Sequence, residues 1–427
     1  MHIKTANMKR TSLSEKLAIC TGIKWGKSYA QIAEELDLTE RVVRKWGQKA
    51  KKNQSLESVM GRPKTGVLSS FSSLIGQDID NYRPGDGGWS AKTIAIELSL
   101  DPRLEGESKP SISSINKYLS KRGKRKRQDK HSLLLTAPII AATRPHQAWQ
   151  MDSEGTKQVQ GLGWVSPINV KDIAHKVYVM TYPCVLKTAN NHPKTTDYQH
   201  TLRLSFMEWG LPEHLQTDHE SVFFDNKTKS PYPTALHLWL IGLNIELHFT
   251  PFGKPQKQGM VEKSHQTMHR QITDGRSFDT PLAIFEFAQQ RRQRLNEHIP
   301  STATQNLPPL VAHPDAAFSG RHYEPLKEEQ VFDLVLVQNY LARGKWYRRI
   351  AANNTISIGG YLYHLPKGEP SKDVEVRYNR DQDTFDCFDA DGILIGYNKA
   401  KGVSFKELCG DLIEFLDWTQ RVILLKH

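Results

Sequence analysis

The sequence predicts a multidomain chain: helical modules in its N-terminal third, a mixed α/β middle and a small all-β module near the C-terminus. Three patterns carry this reading. Apolar residues recur at spacings of three and four over 12–51 and again over 89–121. Three strand-like runs and then alternating helix and strand patterns fill 146–290. Residues 341–405 alternate apolar and polar side chains between turn signals.

A chain of 427 residues has room for about three domains, each with its own core. No apolar run reaches the roughly 18 residues a membrane helix requires, and MHIKTANMKR lacks the apolar segment of a signal peptide. The expectation is a cytosolic chain with no membrane partner. Cys20, Cys184, Cys387 and Cys409 are scattered without a CxxC pair, so they suggest neither a disulfide framework nor a zinc site. A net charge of +12 favours a polyanionic partner.

In chain order, 1–56 holds three short helical blocks. SYAQIAEELDLTERVVRKW reads as a helix, a tight turn at Asp37-Leu38-Thr39 and a second helix with Thr39 at its N-cap. This resembles the helix-turn-helix of transposases and bacterial repressors. Such a motif sets its second helix in the major groove, making Glu40, Arg41, Arg44, Lys45 and Lys49 the DNA-facing candidates. Residues 57–74 read as a linker containing a basic GRPK segment at 61–64. A second helix-turn-helix is expected over 75–130, with helices opening at Ser90 and at Ser111 or Ser113. It ends in the basic run Lys121, Arg122, Lys124, Arg125, Lys126 and Arg127. A linker follows at 131–145.

The middle region, 146–290, is organised around PQKQGMVEKSHQT, Pro255 to Thr267. A helical pattern begins near Gln258, so Glu262 falls in the first turns, with His265, Gln266 and His269 spaced to share its face. Asp152 closes the short strand AWQMD, and Asp218 stands where the strand HLQT turns polar. Carboxylates gathered from such positions repel one another unless a cation sits among them. Oxygen-only ligands select Mg²⁺. Glu154, Asp172, Glu220 and Asp225 are competing acids nearby.

GMVEKSH resembles the glutamate motif of the retroviral-integrase and insertion-sequence transposase superfamily. QTDHES resembles its second-aspartate motif and AWQMD its first. Two departures stand out: His219 replaces the usual Asn, and 43 residues rather than about thirty-five separate Asp218 from Glu262. The loop 225–233 is the natural place for the excess. The resemblance implies an RNase H-like integrase core in which Asp152, Asp218 and Glu262 are the catalytic and metal-holding DDE triad. Two Mg²⁺ (or Mn²⁺) ions are implied, with His219 and His265 as accessory residues. The implied function is that of a bacterial, nucleoid-associated transposase that cleaves 3′ ends of an element and joins them to target double-stranded DNA. It would work as a homo-oligomer on DNA, in some members with an ATPase partner for target selection. The alternatives are a catalytically silent repressor or architectural protein on the same fold, and a purely hydrolytic nuclease.

Residues 291–340 read as a helical, Pro-rich connector. The alternating segment 341–405 is similar to the small β-barrel that follows the core in Mu-type transposases, and 406–427 reads as an amphipathic C-terminal helix.

Overall fold

The computed structural model describes residues 11–52, 56, 66–85, 87–124, 140–251 and 259–424. The GRPK segment, the basic residues Arg125, Lys126 and Arg127, and Pro255 to Gln258 lie outside the described residues. The chain divides into two units, Met1–Gly66 and Val67–His427.

The first unit holds α1 (Leu13–Lys24), α2 (Tyr29–Glu35) and α3 (Glu40–Lys51). Capping boxes pairing Ser12 with Glu15 and Ser28 with Gln31 satisfy the first amides of α1 and α2. Asp37 takes φ 50° in the turn before α3. Thr39 occupies the N-cap without a side-chain capping bond. Ile19, Ile32, Ala33, Val43 and Trp46 form the core. Gly47 lets α3 pack closely here: a Cβ would come within 2.5 Å of Ile23 Cδ1, so the Ile23 and Tyr29 side chains would have to shift to accept one.

The second unit begins with α4 (Ser73–Tyr82), α5 (Ala91–Leu100) and α6 (Ile112–Lys121) around Ile75, Ile79, Trp89, Ile94, Leu98, Ile115 and Leu119. Ser90 caps α5, and Ser111, not Ser113, caps α6. The segment 101–111, with a 3-10 turn at Pro102–Leu104, joins α5 to α6. This connection is longer than the tight turn expected there, and α4 opens inside the expected linker.

A mixed sheet follows: β1 (Ala148–Ser153), β2 (Lys157–Val159), β3 (Gly163–Asp172), β4 (Tyr178–Leu186), β5 (His214–Thr217) and β6 (Glu246–Phe249). β3 pairs antiparallel with β4 on one edge and with β1 and β2 on the other. β1–β5 and β5–β6 are parallel. Helices cover both faces, which explains the almost unbroken burial along β3. Trp149, Met151, Val170 and Leu215 face α7 (Thr195–Trp209) and α8 (Ala235–Gly242) in one core. Val159 and Val165 share another with α9 (Gly259–Met268) and α10 (Pro281–Glu297).

The helical module is fastened to this core. Arg291 of α10 donates to Glu97 Oε1 at 2.8 Å and to Gln271 Oε1, and its guanidinium lies 3.8 Å from the Trp89 ring centroid. Trp89 Nε1 donates to the Gln271 carbonyl, and the Gly88 amide to Asp274.

The connector adds α11 (Pro309–Ala312), α12 (Glu328–Val331) and α13 (Leu334–Ala342). Glu328, fully buried, accepts from Arg203 Nε and Nη2 at 2.7 and 2.8 Å, from Trp239 Nε1 at 2.9 Å and from the Tyr323 hydroxyl.

The expected barrel over 341–405 is not closed by hydrogen bonds among the described residues. β7 (Lys345–Arg349), β10 (Asp373–Asn379), β11 (Thr384–Phe388) and β12 (Leu394–Lys399) form an open sheet in the order β12-β11-β10-β7, while β8 (Thr355–Ile358) and β9 (Tyr361–His364) pair only with each other. The chain turns out of β7 at 350–354: the Ile350 amide donates to the Lys372 carbonyl and the Ala351 amide to Thr355. The β8–β9 hairpin packs with the sheet: Ile356, Ile358 and Tyr363 share a core with Val376, Phe385 and Cys387. The predicted terminal helix is two, α14 (Phe405–Leu408) and α15 (Leu412–Leu424), broken at Gly410 with φ 60°. No helix among the described residues is long and apolar enough to cross a membrane.

Candidate active site

β1 and β5 run parallel in the register Ala148↔His214, Trp149↔Leu215, Gln150↔Gln216. Carried two residues further, this register sets Asp152, in β1, level with Asp218, the residue just past β5, at the carboxyl end of the sheet, where α/β proteins commonly place ligands. Alternation along a strand puts Gln150 on the face of Asp152, with Trp149 and Met151 turned into the core. The buried Gln150 accepts the Val261 amide through Oε1 at 3.0 Å. This bond pins the first turn of α9, and with it Glu262, beside β1.

The three carboxylates are half-buried and close enough to act on one another. Burial first, then the charges of Asp218, Glu220 and Glu262, push Asp152 up to about 8. No Lys or Arg among the described residues is paired with Asp152, Asp218 or Glu262. An all-oxygen acidic set without a basic partner is chemically suited to a hard divalent cation. The triad is less tightly gathered than two other groups, His175 with His313 and Asp315, and His214 with Glu246 and His248, whose ligand atoms all lie within 4.8 Å of one another.

His265 is buried beside Asp152, its Nε2 4.0 Å from Oδ2 and without a hydrogen-bond partner in the described structure. Burial holds its pKa down to about 4, so the ring is neutral near pH 7. Gln266 points outward, and His269 opens a π-helical turn, His269–Thr273, in which its Nδ1 meets Thr273 Oγ1 at 2.7 Å. The shared face expected of these residues therefore ends at His265. His219 stacks on Phe249 with ring centroids 5.1 Å apart.

The competing acids resolve into different environments. Asp172 is fully buried and accepts the His146 and His175 amides. Glu154 pairs with Lys157. Asp225 accepts the Lys227 amide and the Thr228 hydroxyl, ordering the long loop after β5, whose Ser230 is in turn held by Tyr347 and Arg348. Glu220 belongs to the acidic cluster. Its amide donates to Asp218 Oδ1 at 2.9 Å, and its carboxylate accepts from Ser153 Oγ at 2.8 Å and from the Tyr198 hydroxyl. Sequence reasoning missed the roles of Gln150, Ser153 and Tyr198. A polar Gln inside an otherwise buried strand, two places from Asp152, was the available signal.

Arg41, Arg44, Lys45 and Lys49 come together on one side of α3, lining a shallow groove of about 350 Å³. Arg44 pairs with Glu40 at 2.7 Å, and Lys45 and Lys49 lie against Trp46. Lys121 is exposed on α6 and lines a depression with Ile112, Asn116 and Lys117. Arg122 and Lys124 are engaged within the fold: both bind Asp80, at 2.5 and 3.1 Å, and Lys124 also donates to the Arg83 carbonyl.

No family profile matches the chain. Among solved structures, a chain from the "CryoEM structure of simian T-cell lymphotropic virus intasome in complex with PP2A regulatory subunit B56 gamma" superposes with a TM-score of 0.33 and 13% identity. It covers 67% of this chain and 92% of that one. A superposition that loose carries no functional argument.

Proposed function

We propose that this chain is a DDE polynucleotidyl transferase built on an RNase H-like core, which cleaves 3′ ends of a DNA element and joins them to target DNA. The observation that carries the reading is the meeting of Asp152, Asp218 and Glu262 at the carboxyl end of a mixed sheet, without a basic partner among the described residues. The strand sequence, an antiparallel β1-β3-β4 meander followed by parallel β5 and β6, supports an RNase H-like core.

Asp152, Asp218 and Glu262 would hold Mg²⁺ or Mn²⁺ ions, which when bound lower the pKa of an attacking water or 3′-hydroxyl and stabilise the leaving oxygen. Gln150 fixes the start of the helix that presents Glu262. Neutral His265 backs Asp152 as a positioning residue and adds no charge to the site. Glu220, tied to Ser153 and Tyr198, braces the turn that carries Asp218. The basic faces of α3 and α6 would bind phosphates on double-stranded DNA. Acting on two ends calls for a homo-oligomer on DNA, and an ATPase target-selection partner would fit the same reading.

The test is to incubate the full chain and Mg²⁺ with a labelled DNA fragment carrying the inverted repeat that flanks its gene. Nicked and joined products are expected, both lost in Asp218→Asn with binding retained. Nicks without joining would instead indicate a hydrolytic nuclease. Binding without either product would indicate a repressor or architectural protein.

A further inference from the structure

We propose that His214, Glu246 and His248 form a transition-metal site of the zinc class at the amino end of the parallel pair β5–β6, independent of the carboxylate cluster. The strand register pairs His214 with Glu246 and Gln216 with His248. Alternation along β6 returns His248 to the side of Glu246, so one face of two adjacent strands presents all three groups. His214 Nδ1 lies 3.1 Å from His248 Nε2 and 3.3 Å from Glu246 Oε2, and His248 Nε2 lies 3.6 Å from the same oxygen. Zinc bonds of about 2.0–2.2 Å to nitrogen and oxygen give a tetrahedral ligand-to-ligand edge of roughly 3.3–3.6 Å. Two of the three observed separations fall within that range and the third, 3.1 Å, lies just below it, so little rearrangement would be needed to accept an ion.

The donor set selects the ion. Two imidazoles and one carboxylate suit Zn²⁺, Cu²⁺ or Ni²⁺ far better than Mg²⁺, which prefers oxygen ligands alone. No Lys or Arg among the described residues pairs with Glu246 to compete for its carboxylate. Glu246 is 66% exposed, leaving solvent access for a water as fourth ligand. The cysteine spacing suggests no thiolate zinc site, and this one needs no thiolate. Asp218 lies four positions beyond His214, roughly 13 Å along an extended strand, so the two sites do not share ligands. Bound metal would clip the start of β6, an edge strand, to the start of β5.

The test uses Co²⁺ as a spectroscopic probe on the full chain, with excess Mg²⁺ present to occupy the carboxylate cluster. One equivalent should develop the intense visible bands of a four-coordinate site, and one equivalent of Zn²⁺ should remove them. Glu246→Gln, at an exposed position, and His248→Gln should each weaken binding at least tenfold, while Asp218→Asn should leave it unchanged. Zn²⁺ should also raise the melting temperature of the wild type but not of Glu246→Gln, with matching far-UV spectra showing that both are folded. Absence of the bands in the wild type, their persistence in both site variants, or their loss in Asp218→Asn would overturn the proposal.

Discussion

The junction between the helical module and the sheet core should fail if Arg291 loses its charge. Its side chain is 2% exposed and that of Glu97 10%. At 2.8 Å the gross attraction is about 6 kcal/mol for an effective dielectric of about 20. Burial opposes this: it pulls the Arg291 pKa down, while Glu97 pulls it up. Replacing Arg291 by Leu leaves the buried Glu97 with only the longer contact to Arg294 at 3.9 Å, and removing one partner of a buried pair costs up to about 3–5 kcal/mol. Glu97→Gln should cost less, because Gln271 and the Trp89 ring still hold the guanidinium. The double variant Arg291→Leu/Glu97→Gln should recover much of the Arg291→Leu loss, since the buried carboxylate charge is gone as well. Urea titrations of the full chain followed by far-UV circular dichroism would measure all three. The joined product should fall more than DNA binding, because the module would still fold around Ile94, Leu98 and Ile115 but no longer be held against the core. An Arg291→Leu variant within about 1 kcal/mol of the wild type, or a double variant equal to the sum of the singles, would refute the reasoning.

Three further outcomes follow from the site and its supports. Asp152 keeps its proton in the folded state up to about pH 8 but releases it near pH 4 when unfolded, so its contribution to stability is lost as pH rises through that window. Between pH 7 and 8 the metal-free wild type should therefore lose about 1 kcal/mol per pH unit relative to Asp152→Asn, as read from urea midpoints. Gln150→Leu removes the acceptor for the buried Val261 amide; it should cost about 1–3 kcal/mol in the same assay. Through the displaced Glu262 it should lower strand joining by roughly 100-fold. Glu328→Ala strips the buried partner from Arg203, Trp239 and Tyr323, and should destabilise the chain by about 3–5 kcal/mol in thermal or urea unfolding.

Much of the candidate site was legible because its parts are local. Asp152 and Asp218 stand where short apolar strands turn polar and Glu262 near the start of an amphipathic helix; periodicity placed them at element ends, and the resemblance of AWQMD, QTDHES and GMVEKSH to family motifs singled them out from the neighbouring acids. The parallel pairing of β1 with β5, which sets the two aspartates level, is visible only in the sheet. What escaped depended on contacts between distant residues. The Ser-rich start of α4 reads as linker, and its Ile75 and Ile79 acquire meaning only against α5 and α6. Gln150 is a strand residue until α9 arrives 111 positions later. Alternation over 345–399 identified strands but could not say that β8 and β9 would pair apart from the rest, because that depends on how 350–354 turns. The Arg203–Glu328 and Arg291–Glu97 pairs join residues 125 and 194 positions apart, and no local pattern announces them.

Asp80 bears on how the positive charge of this chain should be counted. Arg122 and Lys124 are already matched by that carboxylate, so neither arrives at a phosphate as a free cation unless the match is broken. Each phosphate neutralised steepens the dependence of log affinity on log salt by about 0.9 on duplex DNA. A tally of every Lys and Arg in the basic run would thus overstate the counterions released on binding by up to two. Removing the Asp80 carboxylate would return both to the count and make the complex more, not less, sensitive to ionic strength.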